Sequence, residues 1–277
     1  MRPTRVRLFF SSSPLSSPFS FPLFPFPFFL SPFPSTIPSV SDDQFYKSFS
    51  EKQLTGYGTA RRSKIERSRL AILHDAISPP GDMLEVGPGR GTLADHAVAA
   101  GWSYTAIEAS DLLIDVLQRK GLRVVKAFTP PIPGDAGSMD VVYADQVMEH
   151  MPGIDAARAF TADALRLLKP GGVFFVVVPD YLKERTFFWD VDYTHNFVTT
   201  ERRMKQLFND GGFVVERVVR SIGAATGLKR DALAAAALFT TVPGLNTLAR
   251  RTGTEDLLFK VRKNLFETLT FVARKPK

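Results

Sequence analysis

Short apolar runs alternate with amphipathic stretches from residue 83 to residue 178. This alternation constrains the fold more than any other feature of the chain. The runs predict β-strands, and the stretches between them, whose apolar residues recur every three or four positions, predict helices. Strands and helices in this order predict an α/β fold with a doubly wound, mostly parallel sheet. The predicted strands are 83–86, 104–109, 122–128, 139–145 and 173–178, and the predicted helices are 93–100, 112–117 and 154–168.

The first forty residues differ in composition from the rest. Residues 9–35 consist almost wholly of Phe, Pro, Ser and Leu, and their frequent prolines exclude an uninterrupted membrane-spanning helix or signal-peptide core. These residue types share pyrimidine-rich codons, so we interpret the segment as translated upstream sequence, with Val40 as the genuine start. A targeting peptide is the alternative, because three arginines precede the first acidic residue. The expected organisation is a leader at 1–40, an N-terminal helical cap at 41–80, and a main domain at 81–277 with a helical insertion at about 221–264.

The chain contains no cysteine, which excludes disulfides, zinc-thiolate sites and cysteine nucleophiles. Its net charge is +7, and the residues from Glu201 onward carry fifteen Lys and Arg against seven Asp and Glu. A basic segment of this kind is compatible with nucleic acid, an anionic membrane surface, an acidic substrate or a solvated face.

Three glycines follow the first predicted strand in the turn Gly87-Pro88-Gly89-Arg90-Gly91. Ligands of doubly wound sheets bind at the carboxyl ends of the strands, so the turn lies where a ligand is expected. Glu108 ends the second strand, 21 residues after Gly87, where an acid accepts hydrogen bonds from the two hydroxyls of a ribose. The sequence therefore predicts a ligand with an unphosphorylated ribose.

The glycine pattern alone leaves a phosphate, a dinucleotide or a nucleoside cofactor open. Its spacing is G-x-G-x-G, and Thr92 occupies the third position of the dinucleotide pattern G-x-G-x-x-G. Glu85 precedes the first glycine by two residues, where a carboxylate suits an ammonium group better than a pyrophosphate. Together with Glu108 and the strand order, these features favour a sulfonium nucleoside.

Several segments resemble the class I S-adenosylmethionine-dependent methyltransferases, in the group that modifies small molecules. "LEVGPGRG" is similar to the first motif of that family, "AIEAS" to its ribose-binding strand end, "MDVVYADQVMEHM" to its fourth strand and "LRLLKPGGVFFVVVP" to its fifth. "GGFVVERV" and "FETLTFVARK" resemble the final antiparallel pair that distinguishes the family from ordinary Rossmann folds. The resemblance implies a Rossmann-like sheet with an antiparallel final strand and S-adenosylmethionine as the cofactor.

The same resemblance assigns roles to the residues that match its motifs. Gly87, Gly89 and Gly91 would let the loop lie against the methionine portion of the cofactor. Glu85 would orient its amino group, and Glu108 would hold the ribose.

Two further positions concern the cofactor cavity. Gln146, just past the fourth strand, would line the space where the sulfonium meets the acceptor. The family often carries an Asp after its third strand, but this chain has Lys126-Ala127-Phe128 there. Phe128 would supply an apolar wall for the adenine instead.

Methyl transfer to a hydroxyl is accelerated by a general base, and two histidines are candidates. His150 follows Glu149 after the fourth strand, and His195 lies in the loop beyond the fifth strand, in a run that resembles bacterial methyltransferases acting on sugars and glycan precursors. We favour His195 as the base. In the alternatives, Glu149 and His150 only brace the loop, and His195 caps a helix beginning near Thr199. We expect no metal; an ion bridging Glu149, His150 and an aspartate is the alternative.

The expected activity is methyl transfer to a small hydroxylated acceptor, such as a sugar, a glycan precursor or a lipid-linked metabolite, with O-methylation preferred. Asp145-Gln146-Val147-Met148 replaces the Asn/Asp-Pro-Pro-aromatic motif of enzymes that methylate amide or nucleobase nitrogens, so no nucleic-acid partner is expected. An NAD(P)-dependent reductase and a non-catalytic binding module are the alternatives. We expect a cytoplasmic protein, and the sequence leaves its oligomeric state open.

The predicted insertion contains two helical patterns, the first with Asp231 as a plausible cap. In the second, "TEDLLFKVRKNLF", apolar residues lie opposite Lys260, Arg262 and Lys263. We favour a lid over the substrate pocket. The alternative is peripheral membrane contact through the basic amphipathic segment near 254–266.

Overall fold

A computed structural model of the chain describes residues 56–277. The predicted leader at 1–40 and the first part of the predicted cap, 41–55, lie outside the described residues. The strands are β1 (Gly81–Val86), β2 (Trp102–Glu108), β3 (Arg123–Lys126), β4 (Met139–Asp145), β5 (Leu168–Pro179), β6 (Val214–Ile222) and β7 (Glu267–Arg274). The helices are α1 (Gly56–His74), α2 (Thr92–Ala99), α3 (Asp111–Arg119), α4 (Ile154–Leu167), α5 (Tyr181–Glu184), α6 (Phe187–Asp190), α7 (Glu201–Asp210), α8 (Gly227–Leu238), α9 (Leu245–Thr252) and α10 (Glu255–Asn264).

The strands form one sheet in the order β3-β2-β1-β4-β5-β7-β6. β1 pairs in parallel with both β2 and β4, whereas β7 pairs antiparallel with both β5 and β6. This confirms the predicted doubly wound sheet and its antiparallel final strand. Because the chain leaves β1 toward one edge and returns to the other side of β1 as β4, the switch point lies between these two strands.

Helices cover the two faces of the sheet. The alternation of side chains along β5 shows this, because Phe174, Val176 and Val178 belong to the core on one face and Val173, Phe175 and Val177 to the core on the other. The first core includes residues of α4 and α7, and the second includes residues of α1 and α2. Burial on both faces explains why this strand reads as an unbroken apolar run.

Element boundaries differ from the sequence prediction in a few places. α1, the described helix of the predicted cap at 41–80, ends at His74. α4 ends at Leu167, one residue before the predicted end of the helix at 168. Residues 169–172 belong to β5, and the register is irregular where β4 and β5 begin to pair. The Asp231 cap is wrong, because α8 begins at Gly227 after Thr226 and contains Asp231 in its interior.

The predicted helical insertion lies between β6 and β7. It comprises α8, a 3₁₀ turn at Phe239–Thr241, α9 and α10. Among the described residues no single helix is long and apolar enough to span a bilayer. The pair Gly227–Thr241 and Leu245–Thr252 passes on length and composition when taken together, but it is bent by 69°.

Candidate active site

The carboxyl ends of β1, β2 and β4 meet at one edge of the sheet. Val86 is in register with Ile107 of β2 and with Ala144 of β4. The glycine turn, Glu108 and Gln146 follow these strand ends directly, so the fold brings the sequence-predicted cofactor residues to the switch point. Such a crevice is where open α/β sheets bind their ligands.

The glycine turn is held in a conformation that disfavours other residues. Gly87, Gly89 and Gly91 have φ values of 69°, 55° and 68°, in the left-handed region. A Cβ on Gly91 would lie 2.6 Å from the Cδ2 atom of Leu117, whereas a Cβ on Gly89 would meet no atom within 4 Å. Gly91 is therefore required by packing, and Gly89 faces open space that a ligand can approach closely.

Glu108 is buried at the end of β2 with one carboxylate oxygen fixed. Its Oε1 accepts hydrogen bonds from the backbone N–H groups of Ala109 (2.8 Å) and Ser110 (3.0 Å). Burial raises the pKa of Glu108, and these backbone bonds oppose the rise. These bonds fix the carboxylate at the end of β2, and its contact with the hydroxyls of a ribose stays a prediction.

Glu85 points from β1 into a buried polar cluster. Its carboxylate accepts a hydrogen bond from the Tyr104 hydroxyl. Complete burial raises the pKa of Glu85 to about 8, and the Tyr104 bond and the Arg62 guanidinium oppose this rise. Contact of Glu85 with the amino group of the cofactor stays a prediction.

The remainder of this cluster was missed by the sequence analysis. Arg62 of α1 donates to Asp145 at the end of β4 (2.9 Å) and pairs with Glu66 (2.6 Å). Arg69 of the same helix also pairs with Asp145 and lies 3.4 Å from Glu66. The spacing of Arg62, Glu66 and Arg69 by four and three positions places them on one helix face, but a solvent-exposed face with paired charges has the same spacing.

Part of this network has no hydrogen-bond partner among the described residues. The unpaired atoms are Nε of Arg69 and Oδ1 of Asp145. Buried polar atoms are normally hydrogen-bonded, so these free donors and acceptors beside the glycine turn have capacity for a polar ligand. The network could receive the charged end of a cofactor's amino-acid portion.

Gln146 follows β4 with a φ of 57°, which is uncommon for a residue other than glycine. Its backbone N–H donates to the Val177 carbonyl (2.9 Å), which fixes this conformation. Its side-chain Nε2 is buried without a partner among the described residues. A strained backbone and an unused donor at the switch point support the predicted position of Gln146 beside the cavity.

Glu149, His150 and His195 come together although 45 residues separate the two histidines in sequence. The Glu149 carbonyl accepts hydrogen bonds from the backbone N–H groups of Asn196 (2.8 Å) and Phe197 (2.9 Å), which fasten the loop after β5 against the 3₁₀ turn Met148–His150. The two imidazole rings lie 5.0 Å apart in an edge-to-face arrangement. Thus the loop bonds, which the sequence does not reveal, assemble the two predicted bases into one group.

Hydrogen bonds define the proton positions of both imidazoles. Nδ1 of His195 lies 2.6 Å from the Phe188 carbonyl, which can only accept, so Nδ1 carries the proton and Nε2 has a free lone pair. Nδ1 of His150 lies 2.8 Å from the Thr194 hydroxyl, which itself donates to Asp192 (2.7 Å). His150 Nδ1 therefore donates to Thr194, and its Nε2 also carries a lone pair.

The surroundings disfavour the charged forms of these groups. Burial lowers the pKa of His195, and burial together with the neighbouring His195 lowers the pKa of His150. Burial also raises the pKa of Glu149 well above its usual range. Both oxygens of this completely buried carboxyl lack a partner among the described residues.

Two other expectations concern the same loop. His195 does not cap α7, because the Thr200 hydroxyl performs that role by accepting from the Arg203 N–H (3.2 Å). Glu149, His150 and His195 offer one possible metal-ligand atom each, all within 4.8 Å of one another. The third group of this set is a histidine and not the aspartate of the metal-bridging alternative.

Phe128 follows β3 with 63% of its surface exposed. The structure neither packs it into the core nor pairs it with another aromatic ring among the described contacts. Its predicted role as an apolar wall for the adenine stays a prediction.

The sheet order, the antiparallel β7 and the glycine turn followed by Glu108 define an S-adenosylmethionine-dependent methyltransferase domain. The methyltransferase domain family matches residues 57–218, which is more than half of the chain. The chain belongs to this family. The open space at Gly89, the buried carboxylate of Glu108 and the unused polar atoms beside the turn fit the cofactor S-adenosylmethionine.

Among known proteins, a ubiquinone biosynthesis O-methyltransferase from Paramagnetospirillum magneticum is 34% identical over 97 residues, or 33% of this chain and 38% of that relative. The match thus spans less than half of the relative's length. A phosphoethanolamine N-methyltransferase 2 from Haemonchus contortus has a similar structure (TM-score 0.58, 16% identity, 84% of this chain and 60% of that chain). Geranyl diphosphate C-methyltransferase from Streptomyces coelicolor also has a similar structure (TM-score 0.54, 16% identity, 76% of this chain and 79% of that chain). At such identities the two structures show a common fold.

Proposed function

We propose that the protein methylates a hydroxyl group of a small acceptor, such as a sugar, a glycan precursor or a lipid-linked metabolite. The observation that carries the proposal is the pair of adjacent histidines, His195 buried and His150 half-buried, whose Nδ1 hydrogen bonds leave a lone pair on each Nε2. A hydroxyl needs to lose a proton during methyl transfer, whereas an amine that is already neutral does not. The partial likeness to an O-methyltransferase supports the same chemistry.

His195 is the base in this proposal. The Phe188 carbonyl holds its proton on Nδ1, so the ring is presented with Nε2 ready to accept. His150 packs against its edge and is fixed by the chain from Thr194 to Asp192. A second neutral imidazole, in place of a cation, avoids repulsion when His195 becomes protonated.

The reaction requires only one proton acceptor from the protein. S-adenosylmethionine, when bound, supplies a methyl group already activated by the sulfonium. In the transfer, the proton of the acceptor hydroxyl would pass to His195 Nε2. The acceptor oxygen would bond to the methyl carbon as the carbon–sulfur bond breaks, leaving S-adenosylhomocysteine as the neutral leaving group. The imidazolium then releases the proton to solvent, which restores the base. Holding the reactants in line and excluding water account for much of the remaining acceleration.

The enzyme is tested with a panel of sugars, phenols and lipid-linked alcohols, with formation of S-adenosylhomocysteine as the readout. We expect His195→Gln to lower kcat by about 100- to 10,000-fold without changing cofactor affinity. His96→Gln is the matched control, because His96 lies on α2 and bonds Ser63 (2.9 Å) away from the loop. An unchanged kcat in His195→Gln would contradict the proposed base.

Chelation separates the metal-free mechanism from the metal alternative. We expect activity to persist after EDTA treatment and metal analysis to find no stoichiometric ion. If activity is lost with EDTA and restored by a divalent cation, the role of Glu149, His150 and His195 is metal binding instead.

Cofactor binding without turnover on every acceptor of the panel would favour the non-catalytic module. Cytoplasmic location stays a prediction, and fractionation of the native protein tests it.

A further inference from the structure

The helical insertion, residues 227–264, buries almost none of its side chains. α8, the 3₁₀ turn and α10 contain no buried residue, and α9 contains only Ala249. By contrast, nearly every residue of β5 or β7 is buried. Helices in a soluble domain normally bury one face against a core, so this element presents apolar surface that the described chain does not cover.

One exposed face of α8 is continuously apolar. Leu228, Ala232, Ala235 and Phe239 are spaced by four, three and four positions and are all exposed. The largest of these are far from the core, with exposed fractions of 87% for Leu228 and 77% for Phe239. Other exposed apolar side chains of the insertion are Leu238, Val242, Leu248, Leu257 and Val261. An apolar stripe of this length is larger than the scattered exposed residues of an ordinary surface.

The insertion also carries most of the net positive charge of the described residues. Residues 227–264 contain seven Lys and Arg and three Asp and Glu, whereas the other described residues contain 23 and 22. The cations are Lys229, Arg230, Arg250, Arg251, Lys260, Arg262 and Lys263. Apolar side chains flanked by cations are complementary to an anionic lipid bilayer, which offers acyl chains below a layer of negative head groups.

The geometry suits a surface position and does not suit a span. α8 with its 3₁₀ turn is bent by 69° from α9, so the two cannot cross a bilayer as one straight helix. The Arg262 guanidinium of α10 donates to the Thr240 carbonyl (3.2 Å from Nε). This bond connects α10 to the 3₁₀ turn between α8 and α9. The three helices thus form one connected element that can lie on a membrane.

The insertion adjoins the wall of the active site. Phe259 of α10 packs edge-to-face on Phe187 of α6, with ring centroids 5.5 Å apart. The next residue, Phe188, holds His195 through its carbonyl and packs on the imidazole at 4.6 Å. A membrane bound by the insertion would therefore lie close to the loop that carries the proposed base.

We propose that residues 227–264 dock the enzyme on anionic lipid bilayers, with the apolar stripe of α8 entering the head-group region. The docking face is broader than the basic segment at 254–266 that the sequence indicates, because α8 and the 3₁₀ turn supply its largest apolar side chains. It keeps the active-site loop next to the bilayer, which would favour acceptors that reside in the membrane.

Vesicle flotation of the full chain tests this directly. One set of vesicles contains phosphatidylcholine alone, and the other contains phosphatidylcholine with phosphatidylglycerol. Leu228→Glu combined with Phe239→Glu removes the apolar stripe, and Lys229→Glu combined with Arg251→Glu removes charge. Val98→Glu is the matched control, since Val98 on α2 is 49% exposed outside the insertion. Calorimetric titration with S-adenosylhomocysteine shows that each variant is folded and separates this inference from the proposed reaction.

We expect the wild type and the control to float with the anionic vesicles and not with the neutral ones. Each double variant should lower the partition coefficient about tenfold or more while cofactor binding is retained. Absence of binding to either vesicle, or equal binding to both, would overturn the proposal. So would a concentration-dependent dimer that only Leu228→Glu/Phe239→Glu abolishes, because the face would then be an interface between two copies of the chain.

Discussion

Replacing Gly89 or Gly91 of the turn after β1 by alanine should have different effects on stability and on cofactor affinity. Both have a left-handed φ, which costs a residue with a Cβ about 1–2 kcal/mol. For Gly89 that is the whole cost to folding, since its Cβ would meet no atom within 4 Å. For Gly91 the Cβ would lie 2.6 Å from Cδ2 of Leu117, a completely buried side chain that would have to move. Overpacking of this kind adds about 1–3 kcal/mol.

Gly91→Ala should therefore lower the free energy of unfolding by about 2–5 kcal/mol, and Gly89→Ala by about 1–2 kcal/mol. For cofactor affinity we expect the opposite order: Gly89→Ala should lose more affinity than Gly91→Ala, relative to the stability that each variant loses. The Cβ of Gly89→Ala would occupy the open side of the turn, where the methionine portion of the cofactor is expected. We expect this variant to bind S-adenosylhomocysteine at least about tenfold more weakly, or about 1.4 kcal/mol.

Equilibrium urea unfolding measures the first difference, and calorimetric titration with S-adenosylhomocysteine measures the second. Normal binding by Gly89→Ala would refute the idea that the turn lies against the cofactor. Equal destabilisation by the two variants would refute the packing assigned to Leu117.

Three further changes address the buried carboxylates. Glu108→Gln should weaken S-adenosylhomocysteine binding by about 1.5–3 kcal/mol in calorimetry, because a charged acceptor facing the ribose is lost. Asp145→Asn should lower the free energy of urea unfolding by about 3–5 kcal/mol, because Arg62 and Arg69 lose their shared counterion. Glu85 has a pKa of about 8 in the folded protein, raised from 4.5, so the folded state keeps a proton that the unfolded chain releases. The wild type should therefore lose stability relative to Glu85→Gln as the pH rises through this interval, by up to about 1.4 kcal/mol per pH unit.

Each of these expectations has a contrary result. Unchanged affinity in Glu108→Gln would remove the ribose assignment, and a stability change near zero in Asp145→Asn would show that the network is already solvated. For Glu85→Gln, parallel pH profiles of the urea midpoints of the variant and the wild type would show that the buried carboxyl does not hold its proton.

The sequence was most informative where one local pattern decides the outcome. The run 173–178 could be assigned to a strand because only a strand buried on both faces needs six apolar residues in succession. The glycine turn and Glu108 were predicted to form a nucleoside site, and the structure places both at the same edge of the sheet because β1 and β2 are parallel and in register. Asp231 shows the limit of local patterns, because a residue that often begins a helix instead lies inside α8.

Some site residues carried a signal that only the tertiary structure could interpret. Arg62, Glu66 and Arg69 share one face of α1, but an exposed face with paired charges has the same spacing. The partner that makes this face buried is Asp145 of β4, 76 residues beyond Arg69. Such a contact cannot be predicted from the sequence, because any of the many acidic residues of the chain could pair with Arg69.

By itself, the sequence determined the α/β class and the succession of strands and helices, since these follow from the hydrophobic period. It predicted the place of the cofactor from the backbone freedom of glycine. The tertiary structure decided which atoms can act. It brought His195 to His150 through two backbone hydrogen bonds to the Glu149 carbonyl, and it set both tautomers through Phe188 and Thr194. Those bonds depend on loop conformation, which is fixed by contacts between segments far apart in sequence. Loop conformation produces no periodic pattern of residues, so it could not be predicted from the sequence.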